Sequence, residues 1–91
     1  LNILKTSPCS ASFIIKYGIK NWPIWECEPK TFEWHYKEKE MSLILEGEAT
    51  IRIKKSDIIY IKSGDFLTFP SGITCIWTVH KFIRKHYRLG N

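Results

Sequence analysis

A lysine in the last predicted strand is the first residue of this chain that could do chemistry. Every second residue from Ile83 to Leu89 belongs to the more apolar face of this segment, and Lys85 falls on that face. A buried ammonium needs a carboxylate partner or an anionic ligand, because an unpaired charge in an apolar site is too costly. The segment therefore predicts an acidic group or a ligand beside Lys85.

Cys75 is the second chemically capable residue, on a predicted strand face that it shares with Trp77 and Val79. A thiolate can bind zinc or iron, or act as a nucleophile when its pKa is lowered. A lone cysteine more often behaves as a small buried hydrophobic residue, and both interpretations remain open. The histidines have no metal-ligand spacing and are interpreted as surface or structural residues: His35, His80 and His86.

Short strands joined by tight turns are predicted to position these side chains. From residue 22 on, segments rich in branched and aromatic residues alternate with turns, and residues 48–54 alternate strictly between apolar and polar. A break near Lys81 is expected to separate a strand over 74–80 from the last strand. The pattern predicts an all-β antiparallel sandwich or barrel with at least seven strands and almost no helix.

Length and composition narrow the class of protein. With 91 residues, 44% hydrophobic and 25% charged, the chain is expected to form one domain around one core. It has no apolar run of about 20 residues, and its three cysteines lack paired spacing, so a soluble cytoplasmic protein is predicted. The net charge of +5 is spread along the chain, which favours a solvated surface over contact with nucleic acid. The sequence leaves open whether a segment precedes Leu1.

The spacing of turn residues in the second half of the chain resembles the second half of the cupin signature. Gly64 is followed, after five residues, by Pro70 and then by Gly72. After two intervening residues, Cys75 stands at the position of the family's last metal-ligand histidine. The spacing matches up to that ligand, but the histidine itself is replaced.

The first half of the signature matches in part. Glu40, six intervening residues and Gly47 fit its closing section. Trp34 and Tyr36 then stand where the family has its other two histidines. Together with W-P-I-W at 22–25 and K-H-Y at 85–87, these motifs resemble the small single-domain cupins of the ureidoglycine aminohydrolase-like group, over about residues 20–89.

This resemblance implies an antiparallel, RmlC-like jelly-roll β-barrel. The single cupin domain spans residues 1–91, with 1–21 as an N-terminal arm and 22–89 as the barrel. Glu40, which belongs to a charged run that would otherwise be interpreted as exposed, is then expected to point into the barrel mouth and to meet Lys85. Trp22 and Trp25 are expected to pack outside the mouth or at an interface.

The predicted function is the binding of a small polar molecule in the barrel mouth, with catalysis on a nitrogen-containing substrate suggested by the resemblance. Glu40 is the expected general base, and Tyr36 or Lys85 the expected acid. The residues expected to contact the ligand are Trp34, Phe69, Cys75, Trp77 and Tyr87.

Two alternative functions stay open. The first is a metal-dependent cupin enzyme using Glu40 and Cys75, although a divalent ion usually has three or four such ligands, so we expect no tightly bound metal. The second is a basic β-barrel that binds single-stranded nucleic acid through aromatics on its outside. A symmetric homodimer that hides an exposed sheet edge is a further expectation.

Overall fold

Branched and aromatic residues alternate with polar ones along most of the chain and form seven strands in the computed structural model, which describes residues 2–90. One short helix, α1 (Ala11–Lys16), and a single 3₁₀ turn (Ile19–Asn21) precede the second strand. The strands are β1 (Leu4–Thr6), β2 (Ile24–Cys27), β3 (Lys30–His35), β4 (Glu40–Lys54), β5 (Asp57–Lys62), β6 (Phe66–Phe69) and β7 (Thr74–Leu89). All pairings are antiparallel, as predicted.

The two long strands β4 and β7 pair with each other and run through both halves of the barrel. The N-terminal half of β4 and the C-terminal half of β7 lie in a first sheet, in the order β1-β6-β4-β7-β2. Their other halves form a second sheet, in which β5 pairs with β4 and β3 pairs with β7. This arrangement is the jelly-roll barrel that the resemblance to cupins implied.

The predicted break near Lys81 is wrong, because β7 continues through that residue. The strand predicted over residues 48–54 is also longer than expected, since β4 begins at Glu40. The register between the two strands shifts several times between Ile44 and Ala49, as β-bulges do. Gly47 lies there with φ +101°, and a Cβ at this position would collide with the carbonyl of Phe82. The bulges bend both strands, so that each can serve two sheets.

The N-terminal segment covers the outer face of the first sheet. Its strand β1 pairs with β6, and Ser10 caps α1 by accepting a hydrogen bond from the Phe13 N–H at 3.2 Å. Ile19, Leu43 and Phe66 are buried beneath this segment in a small cluster of their own. Within residues 2–90, no helix is long and apolar enough to cross a membrane.

Candidate functional site

An ion pair forms the floor of the barrel mouth. Glu40, the first residue of β4, and Lys85, in the C-terminal half of β7, are 6% and 5% exposed. Lys85 Nζ lies 2.7 Å from Glu40 Oε2. The predicted contact between these two residues is therefore present, on the inner face that strand parity assigned to Lys85.

Ser42 completes this floor. It is fully buried two residues after Glu40, on the same face of β4, and its hydroxyl donates to Glu40 Oε2 at 2.6 Å. Both side-chain hydrogen bonds of the carboxylate thus end on one oxygen. Among residues 2–90, Glu40 Oε1 accepts no hydrogen bond, and Glu40 is one of the residues that line a cavity. The sequence analysis missed Ser42, which the i, i+2 period of a strand could have found.

Aromatic rings surround the ammonium of Lys85. Its Nζ lies 4.9 Å from the ring centroids of both Trp25 and Trp77, and 5.7 Å from that of Phe69. Rings at these distances attract a cation through their quadrupoles. Burial lowers the pKa of Lys85 from its ordinary value, and the Glu40 carboxylate opposes that shift. The ammonium is thus held by one carboxylate oxygen and by ring faces.

A cavity of about 810 Å³ opens above the ion pair. Its size is in the range typical of small-molecule sites. The walls are mainly aromatic, and charged side chains stand at the rim, among them Lys30, Lys37 and Glu38. The aromatic residues that line it are Trp25, Phe32, Trp34, Tyr36, Trp77 and Tyr87.

Tyr36 is fixed by two contacts. Its hydroxyl accepts a hydrogen bond from Trp77 Nε1 at 3.1 Å, and its ring stacks on Phe69 with centroids 4.5 Å apart. Burial, and then the charges of Glu40 and Cys75, raise the pKa of Tyr36 well above its usual range. The phenol therefore stays protonated and is the weaker of the two candidate acids.

Cys75 and Phe69 lie beneath the cavity wall rather than among the residues that line it. Both are almost completely buried, at 1% and 0% exposure. Burial raises the pKa of the Cys75 thiol to about 11, although the nearby Lys85 ammonium opposes that shift. A thiol that stays protonated is a poor nucleophile and a poor metal ligand at neutral pH. Phe69 stacks on Tyr36, and both Phe69 and Cys75 belong to the apolar core.

Four aromatic residues near the mouth show how the fold decides which side chains line it. Trp25, expected outside the mouth, lines it instead, because β2 pairs with β7 so that Trp25 stands opposite Lys85. Trp22 does pack outside, in the small cluster. Trp34 lines the mouth but is 53% exposed, because it lies near the end of the edge strand β3. Phe32, not anticipated, stacks on Trp77 at an interplanar angle of 7°.

The donor set of the mouth does not fit a divalent metal. Trp34 and Tyr36 replace the two histidines that the cupin signature has there, and Glu40 is already bound to Lys85 and Ser42. No three His, Cys, Asp or Glu side chains come together within residues 2–90 in a way that could hold a metal ion. A site with Glu40 and Cys75 would fall short of the three or four ligands that such ions usually have.

Comparison with known proteins identifies one family and several structures that this chain is similar to. The family model described as the EutQ-like cupin domain matches residues 16–87. A crystal structure of a DUF861 family protein from Thermotoga maritima is similar, with 33% identity, a TM-score of 0.92, and coverage of 97% of this chain and 99% of that one. No curated protein matches the sequence.

Two structures of EutQ proteins are more distant. The putative ethanolamine utilization protein Q of Salmonella typhimurium has 22% identity and a TM-score of 0.66, covering 74% of this chain and 54% of that one. The EutQ protein of Clostridium difficile has 22% identity and a TM-score of 0.67, covering 74% and 52%. The chain thus spans about half the length of these two proteins, which share its fold.

Proposed function

This chain belongs to the EutQ-like cupin domain family, and from that premise we propose that its barrel mouth binds a small molecule bearing N–H or O–H donors. One observation carries the proposal: Glu40 presents a carboxylate oxygen, Oε1, that accepts no hydrogen bond within residues 2–90, at the floor of an aromatic cavity. Oε1 retains accessible surface, so a ligand in the cavity can reach it, and an ionised carboxylate oxygen is a strong hydrogen-bond acceptor. A donor group on the ligand satisfies it.

The same geometry disfavours an anionic ligand such as a carboxylate, which the sequence allowed beside Lys85. The cation that would attract it, Lys85, already contacts Glu40 at 2.7 Å, and it faces the rings of Trp25 and Trp77. An anion at the floor would also approach the charge of Glu40. A neutral or cationic donor meets neither obstacle, because it approaches the carboxylate and leaves the ammonium in place.

The walls add a preference for a small ligand with an apolar or planar part. Trp34 and Tyr87 line the cavity on different strands, and burial of an apolar group between aromatic side chains is favourable. Amides, ureides and amines can combine an apolar or planar part with N–H donors. This agrees with the nitrogen-containing substrate suggested by the resemblance to the ureidoglycine aminohydrolase-like group. Ethanolamine, after whose utilization the Salmonella relative is named, also carries both kinds of donor.

Matched fragments test the proposal. Benzamide, benzylamine, ethanolamine and, for comparison, benzoate are each titrated into the protein. The indole N–H signals of the four tryptophans are followed by NMR. We expect the donor fragments to shift the signals of Trp25, Trp34 and Trp77 more than that of Trp22, and benzoate to bind at least about tenfold more weakly. Preferential binding of benzoate in the mouth would overturn the assignment of the ligand class.

Two variants refine the same titration. Glu40→Gln removes the charged acceptor and is expected to weaken binding of the donor fragments about tenfold or more. Trp34→Ala, at an exposed wall position that tolerates truncation, is expected to weaken the binding of every fragment that occupies the mouth. Glu38→Gln, at the rim, is the matched control for Glu40→Gln and is expected to leave affinity within about twofold. Equal affinities of the Glu40 variant and the wild type would contradict the proposal.

Proton transfer is a second candidate function, favoured by the burial of an acid and a base side by side in a cavity. Glu40 has the free oxygen to accept a proton from a bound donor. Lys85, whose pKa is lowered, is a better proton donor near neutral pH than Tyr36, whose pKa is raised. Release of ammonia from a panel of small amides and ureides, lost in Glu40→Gln and retained in Tyr36→Phe, would support these roles.

The structure weakens the nucleic-acid alternative and is compatible with the predicted location. The nucleic-acid alternative required aromatics on the outside of the barrel, whereas Trp25, Phe32 and Trp77 line the cavity. Cys9, Cys27 and Cys75 are all free thiols, as is typical of a reducing compartment, and we therefore propose a cytoplasmic site of action. Fractionation of cells expressing the full protein would check the location.

A further inference from the structure

The ammonium of Lys85 has fewer hydrogen bonds than its chemistry allows. A lysine ammonium carries three N–H donors, but within residues 2–90 Lys85 donates one side-chain hydrogen bond, to Glu40 Oε2 at 2.7 Å. The rings of Trp25 and Trp77 lie around the same nitrogen. Rings attract a cation, but they are only weak hydrogen-bond acceptors and take no proton. The charged form of Lys85 is therefore incompletely stabilised.

The neutral amine of Lys85 is accessible for the same reason. Only 6% of its side chain is exposed, and burial lowers its pKa, although the Glu40 carboxylate opposes that shift. Glu40 also offers the proton a destination, because Oε2 lies within direct transfer distance of Nζ. The transfer leaves an amine and a carboxylic acid, and neutral groups are much less costly to bury than charges. A desolvated lysine in an apolar pocket is one of the recognised forms of an activated nucleophile.

The cavity brings a ligand to this lysine and to no other buried one in the described part of the chain. Lys85 and Glu40 both belong to its lining. Lys30 and Lys37 line it too, but they are exposed at the rim, where water stabilises the ammonium. The aromatic walls favour a planar or apolar body on the ligand. An electrophile carried on such a body therefore meets a buried amine that has a carboxyl group beside it.

We propose that Lys85 is a covalent site for small neutral aldehydes and ketones, which it binds as an imine. The neutral amine forms a bond from Nζ to the carbonyl carbon, and the carbonyl oxygen takes the proton held by Glu40. Glu40 then moves a proton from the nitrogen to the new hydroxyl group, and the C–O bond breaks as the C=N bond forms. Overall, the ammonium and the carbonyl compound become a protonated imine and water, with no change in net charge or oxidation state.

The floor of the mouth suits the product as well as the reactants. The protonated imine carries its positive charge where the ammonium did, so it stays paired with Glu40 and close to the rings of Trp25 and Trp77. This activity uses the nitrogen of Lys85 rather than the free oxygen of Glu40. It therefore goes beyond the binding of donor ligands and does not rest on it.

Reductive trapping tests the proposal on the wild-type protein. Benzaldehyde is added at neutral pH with sodium cyanoborohydride, which reduces an imine to a stable secondary amine, and peptide mapping by mass spectrometry locates each benzyl group. The map also separates lysines from the α-amino group, which reacts in any chain. We expect Lys85 to be labelled at least about tenfold faster than exposed lysines such as Lys20. Exposed lysines labelled while Lys85 stays unmodified would overturn the proposal.

A charged analogue tests the class of carbonyl compound. 4-Carboxybenzaldehyde has the same ring and the same aldehyde, but its carboxylate enters a cavity whose floor holds the charge of Glu40. We expect it to label Lys85 at least about tenfold more slowly than benzaldehyde does. Equal rates of labelling at Lys85 would overturn the preference for neutral compounds.

Two variants complete the test. Lys85→Arg keeps a cation beside Glu40 but has no amine that can condense to an imine, and we expect it to lose the fast labelling. Lys20→Met, in the exposed 3₁₀ turn, is expected to retain it. Thermal unfolding checks that both variants are folded, and if Lys85→Arg is not, the wild-type map decides alone. Fast labelling that persists in folded Lys85→Arg would contradict the assignment.

The binding of benzamide, followed by NMR in the same wild-type samples before trapping, keeps the two proposals apart. Intact benzamide binding with an unlabelled Lys85 overturns the imine and leaves the donor-binding mouth in place. Labelled Lys85 without benzamide binding supports the imine and overturns the proposed ligand class.

Discussion

Two regions of the barrel interior differ sharply in polarity, although β4 and β7 pass through both. On the side of β5, inward residues such as Ala49, Ile51, Ile61 and Val79 are all buried and form an apolar core. At the mouth, the inward positions of the same strands carry Glu40, Ser42 and Lys85. One strand pair thus builds a core in one region and a charged floor in the other.

The contrast teaches that the charged floor is not required to hold the sheets together. A buried ion pair contributes little net stability, because desolvation of both charges offsets most of their attraction, and apolar replacements are often as stable. The apolar region shows that these strands can pack without it. The floor lies where the cavity lies, which is the arrangement expected if Glu40 and Lys85 are held for a ligand.

Among the changes that test this contrast between the charged floor and the apolar core, Lys85→Met is expected to have the largest effect on stability. Removing the ammonium leaves the Glu40 carboxylate buried without its partner, and we expect a loss of about 3–5 kcal/mol in the free energy of unfolding. Urea denaturation measures it. Lys30→Met, at the rim of the same cavity, should change stability by less than about 0.5 kcal/mol.

The double change Lys85→Met with Glu40→Gln distinguishes a coupled pair from two independent losses. If the cost of Lys85→Met comes from the stranded charge of Glu40, neutralising that residue as well should recover at least about 1 kcal/mol. The same urea experiment provides the comparison. Strict additivity of the two single changes would show that the pair is not coupled.

A pH effect at Cys75 is expected to be the next largest. The folded protein holds the pKa of this thiol at about 11, above the value of 9.0 expected when the chain unfolds. The folded state therefore keeps a proton that the unfolded state loses, and the stabilisation is present below pH 9 and lost as the pH rises towards 11. The stability difference between wild type and Cys75→Ala should shrink over that range, as followed by thermal unfolding. A difference independent of pH would contradict the assignment.

A truncation in the apolar region should separate stability from binding. Ile61→Val is expected to lower the free energy of unfolding by about 0.5–1.5 kcal/mol, because it removes one buried methyl group. Its affinity for fragments that bind the mouth should remain that of the wild type. Glu40→Gln, in contrast, should lower stability and affinity together. A loss of affinity in Ile61→Val would contradict the separation of the apolar core from the binding site.

The smallest effect is expected for metal ions. Addition of zinc, manganese, iron or nickel should shift the melting temperature by less than about 1 °C, because the mouth offers too few ligands. Elemental analysis after dialysis checks the same point. Stoichiometric metal that disappears in Cys75→Ser would instead establish a metal centre at Glu40 and Cys75.

Much of the fold could be predicted because its signals are local. Turn residues and strand alternation located the second half of the barrel, and parity alone placed Lys85 inside. The continuous course of β4 and β7 could not be predicted, since bulges around Gly47 compensate for residues that look like strand ends. A local pattern does not report how a distant strand absorbs an extra residue.

The site was less predictable because it depends on pairing between distant strands. Glu40 lies in a charged run, and only the resemblance to cupins placed it inside. Trp25 was expected outside, and its true place follows from the pairing of β2 with β7, which no local pattern shows. Ser42 was missed because a lone serine in an apolar strand carries no signal until its neighbour's carboxylate is known to be buried.

The most direct test of the central claim is a crystal structure of the protein with benzamide or benzylamine bound. The account predicts the fragment in the mouth, its ring against the aromatic wall and its N–H group within about 3 Å of Glu40 Oε1, with the Lys85–Glu40 contact intact. A fragment bound elsewhere, or a benzoate carboxylate found on Lys85 with that contact broken, would contradict it.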